Sequence, residues 1–228
     1  IVFAHTNDDL SFTQSDWNEG IATWRFNLNT NFSPAQDALH TIFARTWQLL
    51  GPASQVKERG QYVSADIAGI KVFAIRGRDG SLRAFRNVCR HRGAQLLPEG
   101  EGRCATIRCP YHQWVFADDG HLVNAPWFGE DPDFDPSQWP LESIQVDVWR
   151  GLLFVSVDPQ EDLVTQLGEL VAELADEPIE SYHAVKNDRV VFDANWKIYT
   201  DNFVEGYHIP GVHPNFFAWS AVKSLFYS

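Results

Sequence analysis

Every thiol in the chain falls within "CRHRGAQLLPEGEGRCATIRCPYH", residues 89–112, and two histidines sit among them as Cys89-x-His91 and Cys109-x-x-His112. Each half is a two-residue claw on a tight loop, with Gly93, Gly100, Gly102 and Pro110 supplying turns. Thiolates and imidazoles together hold zinc or an iron–sulfur cluster. Structural zinc usually pairs Cys with Cys and His with His. Here each claw mixes one Cys with one His, which suits a [2Fe–2S] centre whose first iron takes two Cys and whose second takes two His. Cys104 fits neither claw and reads as a small, buried apolar residue.

A second constellation follows about a hundred residues later, in "DNFVEGYHIPGVHP". Glu205 and His208 are three apart, on one face of an expected helix. His213 comes after a Pro–Gly break that lets it swing back toward His208. Two histidines and a carboxylate, with open positions left over, form the facial triad of non-haem Fe(II) oxygenases. Asn202 stands close enough in sequence to tune such a site. Tyr207 and Trp196 read as core. His5, His40, His121 and His183 have no partner at ligand spacing and read as structural or surface residues. Arg90 and Arg92 flank the first claw, either as partner contacts or as solvated cations.

These groups need elements to position them. Residues 1 to about 45 read as mainly helical, with Ser33 as N-cap and Pro34 at the first helical position. From Gln55 to Asp158 the apolar period is two, with hairpin turns at 78–80, 117–120 and Arg150–Gly151. Many short strands with Gly-rich turns describe a small all-β domain. After Pro159 the period is helical again, with Leu163, Leu167, Leu170, Val171 and Leu174 on one stripe. Residues 184–196 read as extended, and "NWKIYTDNFVEGYHIPGVHP" as a helix broken at Pro210–Gly211.

The bulk properties exclude several functions. The 228 residues carry a net charge of −12, which argues against a nucleic-acid partner and suits a basic redox partner or a cationic substrate. No run of 18 apolar residues indicates a membrane span, and the N-terminus lacks a signal peptide's basic region. Three cysteines do not make a disulfide framework, which points to a reducing cytoplasm. The chain has no Met, so it reads as a fragment or as one from which modified methionines are missing.

The first stretch resembles the Rieske motif C-x-H…C-x2-H, flanks "CRHRGAQL" and "CPYHQWVF" included, with Gln113 where Gly is common. The second resembles the N-W-K…E/D-N-x…Y-H-x4-H signature of the Rieske non-haem iron oxygenases, the ring-hydroxylating oxygenase large (α) subunits. Together the resemblance spans about residues 35 to 217. It implies an α+β fold: an N-terminal helical segment over 1–45 packing on the catalytic domain, an all-β Rieske domain over 46–158, and over 159–228 the start of a helix-grip catalytic domain, an antiparallel sheet with helices, whose remainder is absent. Cys89, His91, Cys109 and His112 would hold the [2Fe–2S] cluster. His208 and His213 would hold a mononuclear Fe(II), with a downstream Asp as the third ligand. Glu205 would bridge that iron site to a cluster histidine of the neighbouring subunit.

The implied activity is that of a terminal oxygenase component. It uses O2 and electrons from NAD(P)H, delivered by a separate reductase with or without a ferredoxin, to hydroxylate, dihydroxylate or demethylate a small organic substrate. The implied assembly is a homotrimer, with or without β subunits. Glu205, where Asp is more usual, resembles the branch acting on quaternary ammonium compounds such as carnitine and betaines; aromatic substrates stay open. The alternative is a Rieske electron-transfer protein without oxygenase activity. His208 and His213 discriminate, because a carrier has no use for a second metal claw.

Overall fold

A computed structural model describes residues 42–128, 131–182, 194–204 and 206–213. They fall into two units, residues 42–182 and residues 194–213. Of the helix expected to open at Ser33–Pro34 only the part from 42 on is described, and it turns at 44–46 and enters a strand at Gln48 where the helical reading ran on; most of the extended stretch from 184 lies outside the described residues. None of the described helices is long and apolar enough to cross a membrane.

The period-two segments of the first unit form ten strands: β1 Gln48–Pro52, β2 Gln61–Ile67, β3 Ile70–Arg76, β4 Leu82–Arg86, β5 Gly100–Arg103, β6 Ile107–Arg108, β7 Val115–Phe116, β8 Leu122–Asn124, β9 Ser143–Trp149 and β10 Leu152–Ser156. Seven make an antiparallel sheet in the order β1-β10-β9-β4-β3-β2-β5, and β6-β7-β8 make a second, smaller sheet. The antiparallel strands with a few helices give the expected α+β class. The three expected turns are present. At the β9–β10 turn Arg150 and Gly151 have φ of 50° and 81°, the two left-handed residues of a type I′ hairpin whose twist matches its strands.

One core joins the sheets. Phe73, Ile75 and Phe85 from the large sheet meet Ile107, Phe116 and Leu122 from the small one and Trp114 just before β7, and Cys89 and Cys109 lie in the same cluster. The thiols are therefore built into the apolar contact that holds the domain together. Cys104 packs against this core from its edge, as expected of a small apolar residue.

A second cluster, Trp47, Phe154 and Leu163, seats helix α1, Leu163–Leu167, on the β1–β10 end. Asp162 caps α1 by accepting the Thr165 N–H at 2.8 Å. The apolar stripe predicts one helix through Leu174. The structure instead has two, α1 and α2 (Leu170–Glu173), parted at Gly168 with φ 54° and ψ −126°. That conformation is open to glycine and closes the helix early, and Leu170 is left exposed.

The second unit holds α3, Trp196–Val204, and α4, Ile209–Val212. Pro210 and Gly211 do not break a helix as the sequence suggests. Pro210 sits in the first turn of α4, where its missing N–H costs nothing, and α3 ends earlier, at Val204.

Candidate metal centres

The two claws sit on loops of matching design. In the first, between β4 and β5, the Cys89 N–H donates to Ala94 O at 2.8 Å and the Gly93 N–H to Cys89 O at 2.9 Å. In the second, between β6 and β7, the Cys109 N–H donates to Trp114 O at 2.8 Å and the Gln113 N–H to Cys109 O at 3.1 Å. Each loop thus closes on its cysteine, through a residue four positions on that turns left-handed. Gly93 does this at φ 70° and Gln113 at φ 62°. Glycine is the ordinary residue there because a Cβ is strained at positive φ; Gln113 accepts the strain.

The loops bring like ligands together. Cys89 and Cys109 are buried free thiols, close enough for one to hydrogen-bond the other. The His91 and His112 rings lie 4.5 Å apart, edge to face. A Cys pair beside a His pair is the donor set of a Rieske [2Fe–2S] cluster. The buried Nδ1 of His91 has no hydrogen-bond partner, as a nitrogen kept for a metal should. Among the described residues no three His, Cys, Asp or Glu side chains are grouped to hold a single metal ion.

Burial acts on the two kinds of ligand in opposite senses, against the thiolate and for the neutral imidazole. Burial pushes the Cys89 thiol up to about 11, with the neighbouring Cys109 adding to it, while the backbone N–H groups of His91 and Arg92 favour the thiolate. His91 is held below the ordinary imidazole range, first by burial and then by His112 and Arg92. The neutral imidazole is the metal-binding form. The flanking Arg90 and Arg92 are exposed.

Sequence reasoning missed the support beneath the histidines. The Trp114 ring stacks on His91 at 5.0 Å with 7° between planes. Phe128, Phe134 and Trp139 then meet Trp114 edge-on at 5.5, 5.8 and 5.7 Å. This aromatic box fixes the ring plane of His91 from below. The signal available was the density of aromatics in "APWFGEDPDFDPSQWPL", residues 125–141, a stretch with no strand or helix period to explain it.

In the second unit His208 stands just before α4 and His213 just after it, with ring centroids 5.5 Å apart. The His213 N–H donates to Ile209 O at 2.9 Å, so one short helical turn sets the spacing in place of the expected swing around a break. Glu205 lies outside the described residues. His208 stands on a turn beyond α3 and not on that helix. Asn202 is on α3 and exposed, and Tyr207, read as core, is 86% exposed.

The Rieske [2Fe–2S] domain family matches residues 46–142, which include all four claw residues. The ring hydroxylating alpha subunit catalytic-domain family matches residues 179–228, which include both later histidines. The chain is 36% identical over 180 residues to the carnitine monooxygenase oxygenase subunit of Escherichia coli K12, covering 77% of this chain and 48% of that protein. It is 34% identical over 179 residues to the glycine betaine monooxygenase oxygenase subunit of Chromohalobacter salexigens, covering 77% and 40%. The structure of a quaternary ammonium Rieske monooxygenase bound to L-carnitine superposes with a TM-score of 0.74 at 32% identity, over 80% of this chain and 53% of that one. Naphthalene 1,2-dioxygenase with indole bound gives 0.72 at 31% identity, over 82% and 43%. The chain spans about half the length of the curated relatives it matches. With its paired Cys–His loops, its later histidine pair and these matches, the chain belongs to the Rieske non-haem iron oxygenases, matching the Rieske domain over residues 46–142 and the ring-hydroxylating α-subunit catalytic domain over residues 179–228.

Proposed function

We propose that this chain is part of the terminal oxygenase component of a quaternary ammonium monooxygenase system. The observation that carries the oxygenase reading over a plain electron carrier is the second histidine pair, His208 and His213, with rings 5.5 Å apart in a chain that already has the cluster loops. The substrate class is supported by the carnitine and glycine betaine relatives, by a choline monooxygenase of Spinacia oleracea at 31% identity, and by a net charge of −12 that attracts cations.

In this reading Cys89 and Cys109 hold one iron of the cluster, and His91 and His112 the other. His208 and His213 would hold a mononuclear Fe(II), with a carboxylate as third ligand. The bound cluster supplies single electrons and the bound Fe(II) a position for O2. Glu205 stands three residues before His208 and is assigned to the ring N–H that a metal-bound histidine leaves free, with Asn202 alongside. Such a carboxylate orients its histidine and raises its basicity. It is also assigned to a cluster histidine of a neighbouring subunit, in a homotrimer fed from NAD(P)H by a reductase. A cytoplasmic location rests on the cysteine usage.

The test uses the full-length protein. Iron near three per chain, the Rieske EPR signal, sedimentation as a trimer, and substrate-stimulated O2 uptake with a trimethylammonium compound support the reading. Iron near two per chain and no uptake make it a carrier, and uptake with naphthalene but not with carnitine or betaine moves the substrate class. Glu205→Gln should leave both metals bound and the cluster reducible while turnover falls by orders of magnitude; normal turnover would remove the bridge.

A further inference from the structure

We infer that Asn87 is a positioning residue for the cluster: it ties the two ends of the first ligand loop together and so sets where His91 stands against Trp114 and His112. Asn87 follows β4, two residues before Cys89, and is fully buried. Its side-chain Oδ1 accepts the Leu97 N–H at 2.9 Å, and its Nδ2 donates to Leu97 O at 2.8 Å. One side-chain amide thus pairs with both backbone groups of one residue, as a neighbouring strand would. The other Nδ2 hydrogen goes to Ser64 Oγ at 2.8 Å, which donates to Val72 O at 3.0 Å, while the Asn87 backbone N–H donates to Lys71 O at 2.8 Å. Both side-chain donors are used, and the clamp is anchored on β2 and β3.

The clamp closes the base of the loop, outside the loop's own backbone contacts. Between Asn87 and Leu97 lie the Val88–Gln95 bridge, the Cys89–Ala94 and Gly93–Cys89 hydrogen bonds, and His91 at the tip. Gln95 gives the Leu97 carbonyl a second donor at 2.9 Å, and its Oε1 accepts a hydrogen bond from Lys71 Nζ at 2.8 Å, reinforcing the same point. The second loop is held differently, by the β6–β7 hairpin and by Trp114 in the aromatic box. His91 therefore meets Trp114 and His112 across two independently held loops, and Asn87 fixes one of them. Asparagine suits the place because it presents a donor and an acceptor side by side without charge. An aspartate keeps the shape and loses both donors, so the Leu97 carbonyl faces a carboxylate in a buried site.

The inference rests on the cluster reading of the four ligands and not on the substrate class. Asn87→Asp is made in the full chain and compared with Leu153→Ala, a core change in β10 on the far side of the large sheet. If Asn87 positions His91, Asn87→Asp shifts the EPR g-values of the loaded protein. It also changes the reduced-to-oxidised ratio at fixed potential at least threefold, about 30 mV at 59 mV per decade for one electron. Leu153→Ala lowers the melting temperature and leaves both unchanged. A loaded Asn87→Asp protein with wild-type g-values and potential overturns the inference, as does an equal shift in Leu153→Ala. Should Asn87→Asp not fold, hydrogen exchange on the wild-type holoprotein decides: the Leu97 amide is expected to exchange as slowly as the amides of β3 and β4, and exchange at the rate of an exposed loop sinks the clamp. A wild-type protein without the Rieske signal ends the cluster reading instead, and leaves the expected Leu97 protection standing.

Discussion

Gln113 shows how much one residue can reveal about a metal loop. It sits at φ 62° directly after His112, at the place where Gly93 turns the first loop. Its side chain returns little, a 3.3 Å contact from Nε2 to Pro110 O on the surface. Relief of the left-handed strain is worth about 1 kcal/mol and is partly offset by the greater freedom of glycine in the unfolded chain. Gln113→Gly should therefore raise the melting temperature by roughly 2–4 °C, leaving cluster content unchanged; a fall would show that the side chain contributes more than its contacts suggest. The ligands next to it were legible in the sequence because metal chemistry dictates both residue type and spacing. For the same reason His91→Cys should lower the reduction potential toward the all-Cys range, read by redox titration. Trp114, Phe128, Phe134 and Trp139 were not legible as His91's support, because an aromatic serves any core and nothing in its type names the ring it packs under. Asn87 escaped notice likewise, since its function lies in pairing with a residue ten positions on.

Among the elements, turns are legible in the sequence and helix ends are not. Arg150–Gly151 and the turns at 78–80 and 117–120 carry glycine at positions that require positive φ, a local demand visible without tertiary context. The turn at Gly120 also locks the sheets together: with φ 90°, a Cβ there would stand 2.5 Å from Cε1 of Phe85 on β4. Gly120→Ala should cost roughly 2–4 kcal/mol from strain and overpacking combined, measured by urea unfolding. The stripe from Leu163 to Leu174 misled because period alone does not see Gly168 turn the chain. What holds the chain beyond that turn is Arg150, whose guanidinium grips Glu180 at 2.6 and 2.8 Å and also reaches the carbonyls of Leu174 and Glu177. This pairing lowers the Glu180 carboxyl from 4.5 to about 2. A depressed carboxylate stabilises above its unfolded pKa and loses that contribution as pH falls through the folded value. Segment 174–181 should thus loosen between about pH 4.5 and 2, seen as faster proteolysis after Leu174, and Glu180→Gln should remove the pH dependence in that window.

At the scale of the molecule the question is how much chain the cluster domain needs. Residues 42–182 contain the two apolar clusters described above, the seven-stranded sheet and all four claw residues. The first strand does not stand alone within them. Gln166 on α1 accepts the Trp47 N–H at 2.6 Å and donates to Trp47 O at 3.0 Å, pairing with the chain just before β1 as Asn87 pairs with Leu97. The Trp47 indole donates to Glu161 O at 2.9 Å, and Leu163 is buried against Trp47 and Phe154. A boundary at 158, where the apolar period changes, removes all of these partners and uncovers one end of the sheet. Losing the Leu163 side chain alone forfeits about 1.5–3 kcal/mol of burial, and the buried Trp47 groups are left unpaired besides. Residues 42–182 expressed alone should therefore bind the cluster and unfold in one cooperative step. Residues 42–158 should melt at least 10 °C lower or fail to hold iron, because a domain of this size has only about 5–15 kcal/mol of stability to lose. Equal melting of the two pieces would show that α1 is a passenger on the domain, and failure of both would show that the cluster domain needs the chain outside 42–182.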